Sequence, residues 1–291
     1  VILYYVVLIA LLFAWPTISK GFTPAILIPA LLLVVFLAWD SVAKLPDGKL
    51  HVLVMDVGSS DGLLITTPTG HKVLINGGEI PSALLDQVGR RTSIFDRQID
   101  MLLVASTQEN QVAALPRFVS IFPPKHVIWS GNIQASFSSM KLHDTLVNKG
   151  FAITEGLPGQ VIDLGDGTTI RILAATNRGA VLRLEMGGFS MLLPIGVNGD
   201  SFTQLSLENS IQPATVYHLA ESGYGPSNPL NLIEFVHPQY FTVSVSAFDT
   251  RAIPTDEFLK ALGNPNVLRT DRNGWIEIVT DGKGTQVTSA R

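Results

Sequence analysis

The side chains that could do chemistry in this 291-residue chain are few and fall in clusters. Asp56 and Asp61 bracket a glycine-bearing loop, Asp56-Val57-Gly58-Ser59-Ser60-Asp61. Two carboxylates that close together can divide acid and base work if their surroundings push their pKa values apart. The alternative is that both hold the loop by capping backbone N–H groups. No nucleophile or His stands beside them in sequence, and the loop-holding role is the one adopted. A second cluster, Ser106-Thr107-Gln108-Glu109-Asn110-Gln111, is polar but carries one charge, and a third is Ala220-Glu221-Ser222-Gly223. Glu109 reads as a solvated side chain rather than a ligand. The six His are His51, His71, His126, His143, His218 and His237. Cys is absent, which excludes disulfides, iron–sulfur clusters, thiolate zinc and a Cys nucleophile, so any metal would need His and carboxylates.

Weaker candidates have ordinary explanations. Arg178, Arg183, Lys125 and Lys141 could form a phosphate track, but scattered basic residues are usually solvated or paired. Asp200 or Ser201 reads as the cap of a helix from Phe202. No helix with Lys and Ser/Thr follows Gly223-Tyr224-Gly225-Pro226 at the spacing of a phosphate loop. Trp129 and Trp275 lie in or beside apolar strand runs and read as core. Twenty Lys and Arg against 24 Asp and Glu give a net charge of −4, which argues against a strongly charge-driven nucleic-acid binder.

These residues sit on an α/β rhythm from His51 onward. Strands are expected at 51–55, 63–66, 72–75, 101–105, 126–129, 168–174, 181–185, 189–193, 216–219, 240–245 and 275–279. Helices are expected at 82–90, 112–122 with a break at Pro116, 202–209, 229–235 and 255–262. Gly187-Gly188 marks a hairpin turn. The unit ending at Asn76-Gly77-Gly78 and the one ending at Pro194-Ile195-Gly196 suggest a duplicated half-sheet. Ahead of this domain, two uncharged apolar runs, Val1–Trp15 and Phe22–Trp39, read as transmembrane helices with Trp and Tyr near their ends. Residues 40–49 read as a linker, and 50–291 as one domain. An apolar run starting at Val1 without a basic leader reads as a fragment whose first span continues upstream, rather than as a signal peptide.

The segment MDVGSSDGLLITTPTGHKVLINGG, residues 55–78, resembles the opening of the metallo-β-lactamase-like domain at the C-terminal end of ComEC-type DNA-internalisation proteins, where a DVGQGDA loop, two strands and an IDGG turn are expected. The likeness continues through GRRTSIFDRQIDMLLVAS (89–106), VLRLEMGGFSMLLPIG (181–196) and RTDRNGWIEIVTDG (269–282). It implies an αββα sandwich behind two transmembrane helices. It also implies a dinuclear metal site whose activated hydroxide attacks a phosphodiester or an amide.

The ligand positions of the family depart here throughout. Its HxDxDH motif matches Ser106, Gln108, Asn110 and Gln111. Its TGD turn matches Pro194-Ile195-Gly196, its GHHG matches Ala220-Glu221-Ser222-Gly223, and its HPxP matches Ile253-Pro254-Thr255-Asp256. The IDGG Asp is Asn76, and none of the six His falls on a ligand position. Ser106, Gln108, Asn110, Gln111, Gly196, Glu221, Ser222 and Ile253 are therefore expected to be vestigial ligand positions, with no catalytic residue, metal or cofactor. Asp56, Gly58, Asp61, Asn76, Gly77 and Gly78 are expected to be a structural loop. The resemblance further implies a multi-pass protein of the inner membrane, its domain on the extracytoplasmic side. The partners it implies are the lipid bilayer, an upstream channel domain and single-stranded DNA. Two other functions stay open: a hydrolase working through Asp56, Asp61 and Glu221, and a structural membrane protein unrelated to DNA.

Overall fold

The computed structural model describes residues 9–10, 24–43, 45–93, 97–199, 211–263 and 266–291. The chain divides into two compact units, residues 1–45 and 46–291. In the first, helix α1 (Pro24–Ala43) runs through Asp40–Ala43, so the first residues expected to be linker are helical. Leu31, Leu32, Phe36 and Trp39 on it are 61%, 63%, 66% and 74% exposed. The first expected span lies almost wholly outside the described residues. Among the described residues no helix is long and apolar enough to cross a membrane. The expected helix 202–209 and its cap also lie outside them.

The second unit holds two sheets. Strands β1 (Leu50–Val54), β2 (Gly62–Thr66), β3 (Lys72–Asn76), β4 (Ile99–Val104), β5 (Pro124–Trp129), β6 (Ile153–Glu155), β14 (Ile276–Thr280) and β15 (Thr285–Ser289) form an eight-stranded sheet in the order β15-β14-β1-β2-β3-β4-β5-β6. Strands β7 (Val161–Asp163), β8 (Thr168–Ala175), β9 (Ala180–Met186), β10 (Phe189–Ile195), β11 (Val216–His218), β12 (Tyr240–Val243) and β13 (Asn266–Arg269) form a seven-stranded sheet in the order β13-β12-β11-β10-β9-β8-β7. The expected duplication is present. β1, β2 and β3 pair antiparallel and β4 joins β3 in parallel, and β8, β9, β10 and β11 repeat that pattern. Gly187-Gly188 closes the β9–β10 hairpin, with Met186 opposite Phe189.

The strands are apolar on both faces because each sheet is covered twice. Leu50, Val52 and Val54 point between the sheets, packing with Ile65, Ile75, Leu182 and Leu193, whereas Leu53 points to the other side. There, helices α2 (Pro81–Arg91), α4 (Leu115–Ile121) and α5 (Phe137–Asn148) cover the first sheet with Leu84, Val88, Phe118, Leu142 and Leu146. Helices α6 (Leu230–Val236) and α7 (Asp256–Ala261) cover the second with Leu232, Ile233, Val236 and Phe258. The architecture is αββα. The break expected at Pro116 falls just before it: α3 (Glu109–Val112) ends, and Pro116 occupies the first turn of α4, where its missing N–H is harmless. One four-residue helix, α8 (Thr270–Asn273), precedes β14.

Candidate functional site

The polar clusters of the sequence meet at one end of the sandwich, where β3 and β4 stop. Asn76 ends β3 with a left-handed φ of 50°, and Gly78 follows with a φ of 69°. A Cβ on Gly78 would lie 2.8 Å from the Val57 carbonyl oxygen, and one on Gly77 would lie 2.6 Å from Leu115 Cδ2. Bare backbone is what lets the 55–62 loop and α4 close over this turn. Gly58, with a φ of 107°, similarly leaves room for the side chain of Glu79. Glu79 Oε1 accepts from Ser59 N at 3.0 Å.

The loop is thus held by Glu79, and the capping role expected of Asp56 and Asp61 is corrected. The Asp56 side chain makes no hydrogen bond among the described residues; burial pushes its carboxyl up. Both carboxylate oxygens of Asp61 take side-chain donors instead of backbone N–H groups. His218 Nε2 lies 2.8 Å from Oδ1, and Gln111 Nε2 donates to Oδ2 at 2.9 Å. The other ring nitrogen of His218 lies 2.9 Å from Thr242 Oγ1. Gln111 Oε1 accepts from Asp61 N at 3.1 Å and from Asn76 Nδ2 at 3.2 Å. Asn76 Oδ1 in turn accepts from Ala105 N at 2.7 Å and Ser106 N at 3.2 Å. Asp61, Asn76, Gln111 and His218 are all buried, which makes each bond in this chain costly to break.

Above this floor, hydrogen bonds cross from one sheet's loops to the other's. Ser106 Oγ donates to the Arg178 carbonyl at 2.6 Å, and Gln108 Nε2 donates to the Gly196 carbonyl at 2.9 Å. Arg178 Nη2 reaches Glu221 Oε1 at 2.9 Å and Gln108 Oε1 at 3.3 Å. The other Glu221 oxygen accepts from Ser227 Oγ at 2.5 Å, and Ser222 Oγ donates to the Ser59 carbonyl at 2.7 Å. Glu221 and Ser222 both hold left-handed backbone, with φ of 47° and 55°.

Between these groups lies a cleft of about 480 Å³. Gln108, Asn110, Gln111 and Gly196 line one side, Glu221, Ser222 and Ile253 another, and Ser59, Tyr224 and Arg251 complete it. Seven of the eight positions matched to family ligands thus share one cleft. The eighth, Ser106, lies beneath it against Gly196.

The donor set does not fit a divalent ion. Zinc or manganese needs several imidazoles or carboxylates converging, and amides and hydroxyls supply no negative charge. The cleft offers one carboxylate, Glu221, already paired with Arg178. Arg251 is matched by Asp249 through bonds of 3.0 and 2.6 Å. Among the described residues no three His, Cys, Asp or Glu side chains gather closely enough to hold a metal.

The hydrolytic alternative is not assembled either. Asp56 does not line the cleft, Asp61 lies buried with both oxygens occupied, and Glu221 stands alone there. The phosphate track disperses. Arg183 is buried against Glu185 and the carbonyls of Gln212 and Pro213, Lys125 pairs with Asp100, and Lys141 stands exposed on α5, so of these four Arg178 alone reaches the cleft region. Glu109 caps the start of α5 through Ser138 N and Oγ; burial raises its carboxyl, but these bonds hold it below the usual range. Trp129 is buried, and Trp275 stacks under Arg91 at 4.8 Å. Glu79, Tyr224 and Arg251 were not legible as site residues. His218 had one signal, a lone His at the end of a strand three residues before Glu221.

No family model matches the chain, and no curated protein does. Solved structures do. The chain is similar to YhfI of Bacillus subtilis, a metallo-β-lactamase-fold protein, at 13% identity over 79% of this chain and 99% of that one, with a TM-score of 0.55. It is also similar to zinc-bound PqqB of Methylobacterium extorquens, at 12% identity over 75% and 97% of the two chains, TM-score 0.54. The diiron β-hydroxylase CmlA of Streptomyces venezuelae matches at 13% identity over 77% of this chain and 53% of that one, TM-score 0.51. The domain therefore has the metallo-β-lactamase fold. At these identities the likeness extends to the fold alone.

Proposed function

We propose that residues 46–291 form a non-catalytic metallo-β-lactamase-fold module of a ComEC-like DNA-uptake membrane protein, one that shapes or gates a channel and meets single-stranded DNA at the cleft. The observation that carries the reading is the donor set of the cleft: the positions that the sequence resemblance matches to metal ligands include Ser106, Gln108, Asn110, Gln111, Gly196 and Ile253, none of which supplies an imidazole or a carboxylate. Three of these, Ser106, Gln108 and Gln111, are committed to hydrogen bonds of the protein itself. The apolar runs at 1–15 and 22–39 support a membrane anchor; the inner membrane and a domain outside the cytoplasm are what the resemblance to ComEC-type proteins adds to this reading. A hydrolase built on Asp56, Asp61 and Glu221 is disfavoured by the burial and pairing of Asp61.

The test uses the full chain. Elemental analysis should find no stoichiometric zinc or manganese, and the protein should leave single- and double-stranded DNA intact. DNA cleavage that a chelator abolishes would overturn the proposal. Binding of single-stranded DNA that weakens with salt separates it from a membrane protein unrelated to DNA, because phosphate contacts release counterions; absence of such binding would favour the latter.

A further inference from the structure

The side chains of the cleft that the protein leaves unspent select a kind of ligand. Glu221 is matched by Arg178, and Gln108, Gln111 and Ser222 are engaged within the protein. Asn110 and Tyr224 line the same cleft, and neither side chain makes a hydrogen bond among the described residues. Asn110 is exposed and offers a free amide, a donor and an acceptor side by side. Tyr224 offers a ring that is 48% exposed. Its backbone is fixed, because the Tyr224 carbonyl accepts from Ser227 N at 3.0 Å and from Asn228 Nδ2 at 2.8 Å. Arg251 bonds Asp249 through Nε and Nη2 and keeps Nη1.

Two further features lie in the loops that carry these groups. Phe248 stands three residues before Arg251, in the loop after β12, and is 92% exposed, forgoing the burial that most Phe side chains find. Glu221, Ser222 and Ala252 hold left-handed backbone, with φ of 47°, 55° and 52°, and such strain gathers where ligands are gripped. A cation would need Glu221 unpaired, and a run of phosphates would need more than one spare guanidinium N–H. A neutral, flat group with donors and acceptors on its edge suits what is present: a ring for its face and an amide for its edge. A nucleobase is such a group, since every base has a π-face and a carboxamide can pair bidentately with a base edge.

Resting on the reading that the cleft meets single-stranded DNA, we propose that it holds the strand by its bases more than by its phosphates. One base stacks on Tyr224 with its edge on Asn110, the neighbouring base stacks on Phe248, and Arg251 meets the phosphate between them. Stacking of this kind is tolerant of sequence. It also suits a chain of net charge −4, which has no basic excess with which to hold DNA by charge.

The test is fluorescence anisotropy of the full chain with a labelled oligo(dT) of about 12 nucleotides, within the range of single-domain sites. An abasic strand of the same length, which keeps the phosphates and lacks the bases, is measured beside it. The abasic strand should bind about tenfold or more weakly, and Tyr224→Ala should cost about tenfold on oligo(dT) and nothing on the abasic strand. Tyr224→Phe, which keeps the ring, should bind like the unaltered chain, whereas Phe248→Ala and Asn110→Ala, both exposed changes, should each lose about fivefold. Log affinity for oligo(dT) should fall against log salt with a slope of about −0.7, the value for one phosphate contact. Equal binding of the two strands, a slope steeper than about −3, or unchanged affinity in Tyr224→Ala overturns the proposal and leaves the DNA reading standing. No binding of either strand up to roughly 1 mM overturns both.

Discussion

Replacing Asp61 by Ala tests whether the buried bonds beneath the cleft hold the two sheets together. Asp61 accepts from His218 Nε2 at 2.8 Å and Gln111 Nε2 at 2.9 Å, and both partners are buried. Without the carboxylate, both donors lose their acceptor out of reach of solvent. Each such group costs about 1–3 kcal/mol, and breaking a buried pair from one side costs about 3–5 kcal/mol. Gln111 cannot turn away, because its Oε1 is fixed by Asp61 N and Asn76 Nδ2. His218 has partial relief: with its proton on the nitrogen facing Thr242, the other nitrogen presents a lone pair, which is still unsatisfied. The expected loss is about 3–4 kcal/mol, a large share of the roughly 5–15 kcal/mol typical of a folded domain. Asp61→Asn should lose about 1–2 kcal/mol, because its amide oxygen can keep the Gln111 bond and its amide N–H can donate to the retautomerised imidazole. Urea unfolding of the full chain reads both variants as shifts of midpoint at unchanged slope. A loss below about 1 kcal/mol for Asp61→Ala, or equal losses for Ala and Asn, would refute the reasoning.

Three further outcomes follow from particular contacts. Hydrogen bonds to Glu277 and Asp47 hold the His51 imidazole above its usual range, and the same contact holds Glu277 below its own. His51 therefore contributes stability that is full below about pH 6.5 and fades as pH rises through its folded value, while the Glu277 part fades as pH falls below about 4.3. The stability difference between the protein and His51→Gln should be largest near pH 5.5–6 and shrink above neutrality, measured by urea unfolding across pH. Gly78→Ala should destabilise by about 2 kcal/mol or more, since a side chain there adds left-handed strain to a clash with Val57; a change under about 0.5 kcal/mol in the same assay would contradict the packing described. Arg178→Ala should cost less than about 1 kcal/mol of stability in the same assay, because its partnership with Glu221 is half exposed.

Much of the fold was written locally. The strands at 50–54, 62–66 and 72–76 are short apolar runs between turn residues, and the Asn76-Gly77-Gly78 turn carries its own conformational demand. What escaped notice lacked such signals. α5 opens with Phe-Ser-Ser-Met, and its exposed face carries Phe137, Met140 and Val147, which blurs the amphipathic period. β6, β7 and β13 have three or four residues, too few to show alternation. At the cleft, the matched positions do converge, but the bonds that engage them were invisible. Asp61 and His218 are 157 residues apart, and nothing in either neighbourhood names the other. Glu79, a lone carboxylate after two glycines, carries no local sign of the Ser59 N–H it accepts until the 55–62 loop is folded over it.

The order of strands in the larger sheet also constrains how the protein can be made. β1 sits between β2 and β14, and its His51 meets Glu277 across 226 residues of chain. A ribosome delivers β2 and β3 within seconds of β1, but the strand for its other edge comes only after the whole second sheet has been synthesised. Through that interval β1 offers an unpaired edge of five residues, an open template for another chain. Sheets that depend on such distant pairings close slowly. Loss of the segment 276–289 would leave that edge permanently bare, so the C-terminal hairpin acts as the guard against self-association as well as the last piece of the core.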